Sequence, residues 1–154
     1  MVNEKSRLSL KKLLVGTLLL LFILFYPMLI SIYVFLPLFI GFMGYLMITG
    51  IERRSVVAVV LALLYFINLN VNLSLPFFLI TLSVIFVYTF FYPYIAKLKK
   101  CTLCIAVLSV ILIDFSYAGA LMLYDFIFQS ESIVFNEVLL YSLIIDLLFV
   151  VVLF

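Results

Sequence analysis

Apolar positions run through this chain in long continuous blocks rather than in alternation. The first block extends from Leu13 to Ile51, and further blocks cover 56–70, 77–96, 102–128 and 137–154. A continuous apolar block of about 20 residues reads as a membrane-crossing helix, whereas the strands of a membrane barrel alternate. The first block is too long for one crossing and about right for two, with Pro27 and Pro37 bracketing the place where the chain can reverse. The pattern predicts six helices, near 13–31, 36–51, 56–70, 77–96, 102–128 and 137–154.

Polar residues fall between the blocks. Arg53 and Arg54 mark a tight turn, while Asn68, Asn70, Asn72 and Ser74, followed by Pro76, predict a loop. Gln129, Ser130, Glu131 and Ser132 predict a second. All nine basic residues sit in three clusters: Lys5, Arg7, Lys11 and Lys12; Arg53 and Arg54; Lys97, Lys99 and Lys100. Six crossings that begin in the cytoplasm put every cluster on the inner side, in keeping with the positive-inside bias. Lys11, Lys12, Arg53, Arg54, Lys97, Lys99 and Lys100 are then topology anchors, and Tyr88, Tyr92 and Tyr94 suit the interface. The expectation is an all-α membrane protein with both termini cytoplasmic. Residues 1–12 form a basic tail, and 13–154 a single six-helix transmembrane domain.

Composition agrees. Hydrophobic residues make up 69% of the chain and charged ones 10%, against roughly 45–50% and about 25% in soluble domains, which excludes a soluble reading. A net charge of +2 is too small and too clustered to argue for nucleic acid, so no such partner is expected, and the basic clusters point to the anionic lipid surface. The first segment is expected to be retained, because its apolar run far exceeds the 7–15 residues of a signal-peptide core, an order-of-magnitude guide. Cys101 and Cys104 follow a cytoplasmic basic cluster, where structural disulfides are rare; their CxxC spacing could suggest a redox or metal site, but with no second CxxC, no histidine and no βαβ context both are expected to be reduced thiols acting as small helix residues.

Asp114 is the most informative single residue. A carboxylate at mid-helix costs about 2.5–3.5 kcal/mol on the translocon scale, so something is gained by keeping it. Asp146 lies at comparable depth in the last helix, with Ser116, Ser142, Ser109, Tyr117 and Tyr141 within about two turns of the two acids. These residues predict a polar seam between the fifth and sixth helices, serving as a proton or partner site or as interhelical hydrogen bonding, the latter favoured. No Lys or Arg lies in these helices, so both acids are expected to be protonated or to face a polar group of a partner. Asn68, Asn72, Asp125 and Glu131 form a candidate outer-face pocket. Gly41, Gly44 and Gly50, and the run Ala118, Gly119 and Ala120, would allow close helix approach. There is no histidine and no GxSxG, HExxH or phosphate-cradling loop, so neither enzyme chemistry, a metal nor a cofactor is expected.

The layout resembles the MreD family of rod shape-determining proteins. The resemblance rests on the basic N-terminus, a short second helix entering near Pro37, Arg53-Arg54, a helix at the very end, and the run Val110-Ile111-Leu112-Ile113-Asp114-Phe115. Where that family carries a Gly and then Asp-Leu in the third helix, this chain has Leu64 and then Asn68-Leu69, and it lacks a basic tail. The resemblance implies a non-enzymatic scaffold of the bacterial inner membrane, active in cell-wall elongation and binding an MreC-like partner. The layout also resembles the S components of energy-coupling-factor vitamin transporters, which implies a six-helix fold of that kind and, as an alternative, vitamin binding at the outer-face residues. An accessory subunit of another membrane complex, or self-association, are the remaining alternatives.

Overall fold

Helix formation follows the apolar blocks, with departures where proline or main-chain bonding intervenes. The computed structural model describes residues 2–33, 35–74, 76, 78–97, 101–129 and 137–153. Among them the chain forms seven helices: α1 Val2–Ile32, α2 Ile40–Glu52, α3 Val56–Leu73, α4 Leu79–Phe90, α5 Tyr92–Ile95, α6 Thr102–Phe128 and α7 Glu137–Leu153. No strand occurs among these residues.

The last two helices match the expected bounds. The first begins at Val2 rather than near 13, because no Gly or Pro between Val2 and Val15 stops it. The basic tail thus continues α1. The expected fourth helix is two, since Pro93 lacks an N–H and its ring clashes with the preceding turn, which divides α4 from the short α5. The asparagine loop is also corrected: Asn68, Asn70 and Asn72 all lie within α3, which ends only at Ser74 in a left-handed conformation.

The turn between α2 and α3 closes in a Schellman arrangement. Ser55 N–H donates to Gly50 O at 2.8 Å and Arg54 N–H to Ile51 O at 3.2 Å, with Arg54 left-handed at φ 53°. Tyr88 OH donates to Glu52 Oε1 at 3.2 Å, tying the end of α4 to the end of α2. Arg53, Arg54 and Lys97 therefore gather at one end of the bundle. Lys11 and Lys12 lie on α1 with side chains outside the described set, and Lys99, Lys100 and Glu131 lie outside the described residues.

The centre belongs to α2, which packs on α3, α4, α6 and α7, while α1 lies on α3 and α4 on α6. Its glycines permit this. A Cβ added at Gly41 would come 2.6 Å from Asp114 Oδ2 and 2.7 Å from Val110 Cγ1. One at Gly44 would come 3.0 Å from Ile113 and from Val84, and one at Gly50 3.0 Å from Ala58. Gly119, expected to serve the same purpose on α6, has nothing within 4 Å of such a Cβ.

Polarity is arranged inside out. Asn70, Ser83, Ser109, Asp114, Ser142 and Asp146 are buried, while large apolar side chains such as Phe35, Phe115 and Phe126 are exposed. Two helices, α3 and α6, are long and apolar enough to cross a membrane. Only 28% and 33% of their apolar windows are buried, whereas the core helix of a soluble protein is mostly buried. Such surfaces suit lipid as the surrounding solvent.

Candidate functional site

The buried polar side chains converge on the start of α2. Helix cannot form through Phe35–Phe39 in continuation of α1, because Pro37 offers no N–H and the chain must reverse. Phe39, the residue before α2, is left-handed at φ 49° and has no side-chain cap to offer. That conformation costs a non-glycine residue roughly 1–2 kcal/mol. It is held by rings: Phe39 meets Tyr26 and Phe149 at centroid distances of 5.3 Å each, with Phe22 and Phe42 slightly farther away.

Away from water, each main-chain group of this segment needs a partner. Tyr26 OH donates to Pro37 O at 2.9 Å, and Tyr65 OH, fully buried, donates to Leu38 O at 2.7 Å. Leu38 N–H donates to Ser142 Oγ at 2.9 Å. Asp146 Oδ2 then accepts from both Gly41 N–H at 2.8 Å and Phe42 N–H at 3.3 Å. The cap that Phe39 cannot supply to α2 therefore comes from α7, and a carboxyl group there complements the positive end of the helix dipole.

Asp114 approaches the same place from α6, where its Oδ2 faces the bare Cα of Gly41. Two carboxyl oxygens, Asp114 Oδ2 and Asp146 Oδ1, are buried without a hydrogen-bond partner, as are Ser109 Oγ, Tyr117 OH and Asn70 Oδ1. No Lys or Arg occurs in α2, α6 or α7. The arrangement can therefore accept hydrogen bonds from a helix start but offers neither carboxyl group a cation from those helices.

The expected seam between the fifth and sixth helices is thus a three-helix junction. Asp114, Asp146 and Ser142 are brought together around the start of α2, whereas Ser116, two residues beyond Asp114 and so about 200° around the helix, is only half-buried. Tyr26 and Tyr65 also belong to the junction, beyond the residues expected there. Their signal was a tyrosine placed deep in an apolar helix, away from the interface where such rings usually sit.

Of the residues expected to line an outer-face pocket, Asn68 and Asn72 bond main chain and each other. Pro27 lies inside α1, so the carbonyl of Ile23 lacks its usual helical donor four residues on. Asn68 supplies one: its Nδ2 donates to Ile23 O at 3.1 Å and to Leu24 O at 2.8 Å. Asn72 Nδ2 in turn donates to Asn68 O and Oδ1 at 2.8 and 2.7 Å, positioning Asn68. Asp125 is half-buried near the end of α6.

A double-mutant cycle tests this patch. Asn68→Ala is expected to lower the thermal stability of the detergent-solubilised protein, each lost bond being worth about 0.5–1.5 kcal/mol. In a Pro27→Ala background, which restores the main-chain donor, the same change is expected to cost less than half as much, an order-of-magnitude reading of coupling between contacting residues. Equal losses in both backgrounds would refute the pairing.

The cysteines also differ from expectation. Cys101 and Cys104 are joined as a disulfide at the start of α6, because Cys101 stands outside the helix in an extended conformation that turns its sulfur back toward the first turn.

Comparison with protein-family models, with curated proteins and with solved structures returned no match.

Proposed function

We propose that this chain is a six-span protein of the bacterial inner membrane, both termini cytoplasmic, acting as a non-enzymatic scaffold subunit of the MreD type that binds an MreC-like partner during cell-wall elongation. The observation that carries this reading is the use of the core polar groups. Asp146, Ser142, Tyr26, Tyr65 and Asn68 all hold main chain of α1, α2 or the segment between them. They tie these elements into one packed body with an apolar exterior, and a partner would meet it through helix faces in the bilayer.

In the six-span arrangement α4 and α5 together make one crossing. Helix α2, 13 residues long, spans about 20 Å at 1.5 Å per residue, less than the roughly 30 Å hydrocarbon layer. Its irregular approach then lies within the apolar zone, which a chain tolerates only where protein groups satisfy the backbone, as they do here. The gathering of Arg53, Arg54 and Lys97 at one end supports an inward-facing end for the basic clusters.

The test has two arms. The tagged protein is expected to co-purify an MreC-like membrane protein, and a phosphatase fused after Phe154 is expected to be inactive. Absence of that partner together with a retained vitamin-sized ligand in the mass spectrum would replace the scaffold reading by the transporter one. High phosphatase activity would overturn the six-span arrangement.

A further inference from the structure

The scaffold reading makes no use of Cys101 and Cys104. Cys101 immediately precedes a helix of 27 residues and is extended at φ −134° and ψ 94°. Its Sγ accepts from Cys104 N–H at 3.2 Å, and the two Cα atoms are 5.2 Å apart. Cys104 is exposed and Cys101 half-buried. We propose that this pair is a thiol–disulfide exchange site whose substrates are low-molecular-weight thiols and their disulfides.

Three features favour exchange over a purely structural bond. The ring closed by a three-residue separation is among the smallest possible, so cross-linking constrains the unfolded chain least. The bond is accessible, which a buried staple is not. The sulfur released on reduction is also already solvated by the protein: a Cys101 thiolate keeps the Cys104 N–H and sits at the positive end of α6, the environment that stabilises thiolates. Because Cys101 lies outside the helix, opening the bond leaves every helical turn of α6 in place.

The chemistry follows from exposure. A substrate thiolate attacks the exposed Cys104 Sγ, the Sγ–Sγ bond breaks, and its electron pair leaves on Cys101, held by the Cys104 N–H. A second substrate thiol gives its proton to water and, as thiolate, displaces Cys104 from the mixed disulfide. The two cysteine thiolates take back from water the two protons that the substrate thiols gave up, so the pair has gained two electrons and two protons and the two substrate thiols have become one disulfide. The reverse sequence carries a substrate disulfide to two thiols.

Full-length protein in lipid nanodiscs is equilibrated with mixtures of reduced and oxidised glutathione, quenched with acid, and tagged on its thiols with maleimide-polyethylene glycol. The expected pattern is two tags or none, interconverting as the mixture changes, since one bond links both sulfurs. Cys101→Ser and Cys104→Ser, checked as folded by size-exclusion profile, are each expected to trap a glutathione adduct visible by intact mass, at least about tenfold more than the wild type, whose second cysteine resolves it. Two tags in every mixture, including excess oxidised glutathione, would overturn the proposal. So would none in excess reduced glutathione, or equal adduct in wild type and variants.

Discussion

Asp146→Leu is expected, under the proposed six-span arrangement, to insert into the membrane as well as the parent chain and yet fail to hold its fold. Removing the carboxyl group takes away a residue that costs about 2.5–3.5 kcal/mol at mid-helix on the translocon scale, so insertion gains. It also strips the acceptor from Gly41 and Phe42 N–H, and a buried donor left without a partner costs about 1–3 kcal/mol. The opposed signs make the experiment decisive. Membrane-fraction yield should stay level or rise, while the share surviving mild heating as a monodisperse peak on size exclusion should collapse. Asp146→Asn keeps an amide oxygen to accept those bonds and should lie between the two. A leucine variant as heat-resistant as the parent would remove Asp146 from its role as cap.

Gly41→Ala is expected to be the second most damaging substitution. In an ordinary helix interior the change gains about 1 kcal/mol from propensity. At Gly41 the new methyl would stand 2.7 Å from Val110 Cγ1 and closer still to Asp114 Oδ2, and overpacking of that kind costs about 1–3 kcal/mol. Gly119→Ala, with open space around it, should be neutral or stabilising in the same melting assay. Val110→Ala should recover part of the loss at Gly41. Equal behaviour of the two glycine variants would show that α2 and α6 do not meet at Gly41.

The apolar blocks made the helices legible, and α6 and α7 fell where polar residues end the blocks. Asp114 and Asp146 stood out for an energetic reason, the cost of a carboxylate in an apolar run. Their surroundings were not legible, because the partner of Asp146 is not another side chain but a peptide N–H in a helix 105 residues away. Any residue can provide that donor, so no residue type announces it. The asparagines misled for a related cause. Their turn-forming tendency was overridden by a gap in the hydrogen bonding of α1 that Pro27 creates and Asn68 fills. A proline inside an apolar helix, matched by an amide at similar depth two helices on, is a pairing that could have been read in advance. The break before α5 was equally present in Pro93.

The contact between Asp146 and Gly41 also orders events during synthesis. Helix α2 leaves the ribosome early, yet Asp146, which caps its first turn, and Ser142, which bonds the approach at Leu38, sit on α7. Until α7 has been made, the N–H groups of Leu38, Gly41 and Phe42 lack the acceptors they have in the folded chain, so the start of the second helix is completed only by the last one.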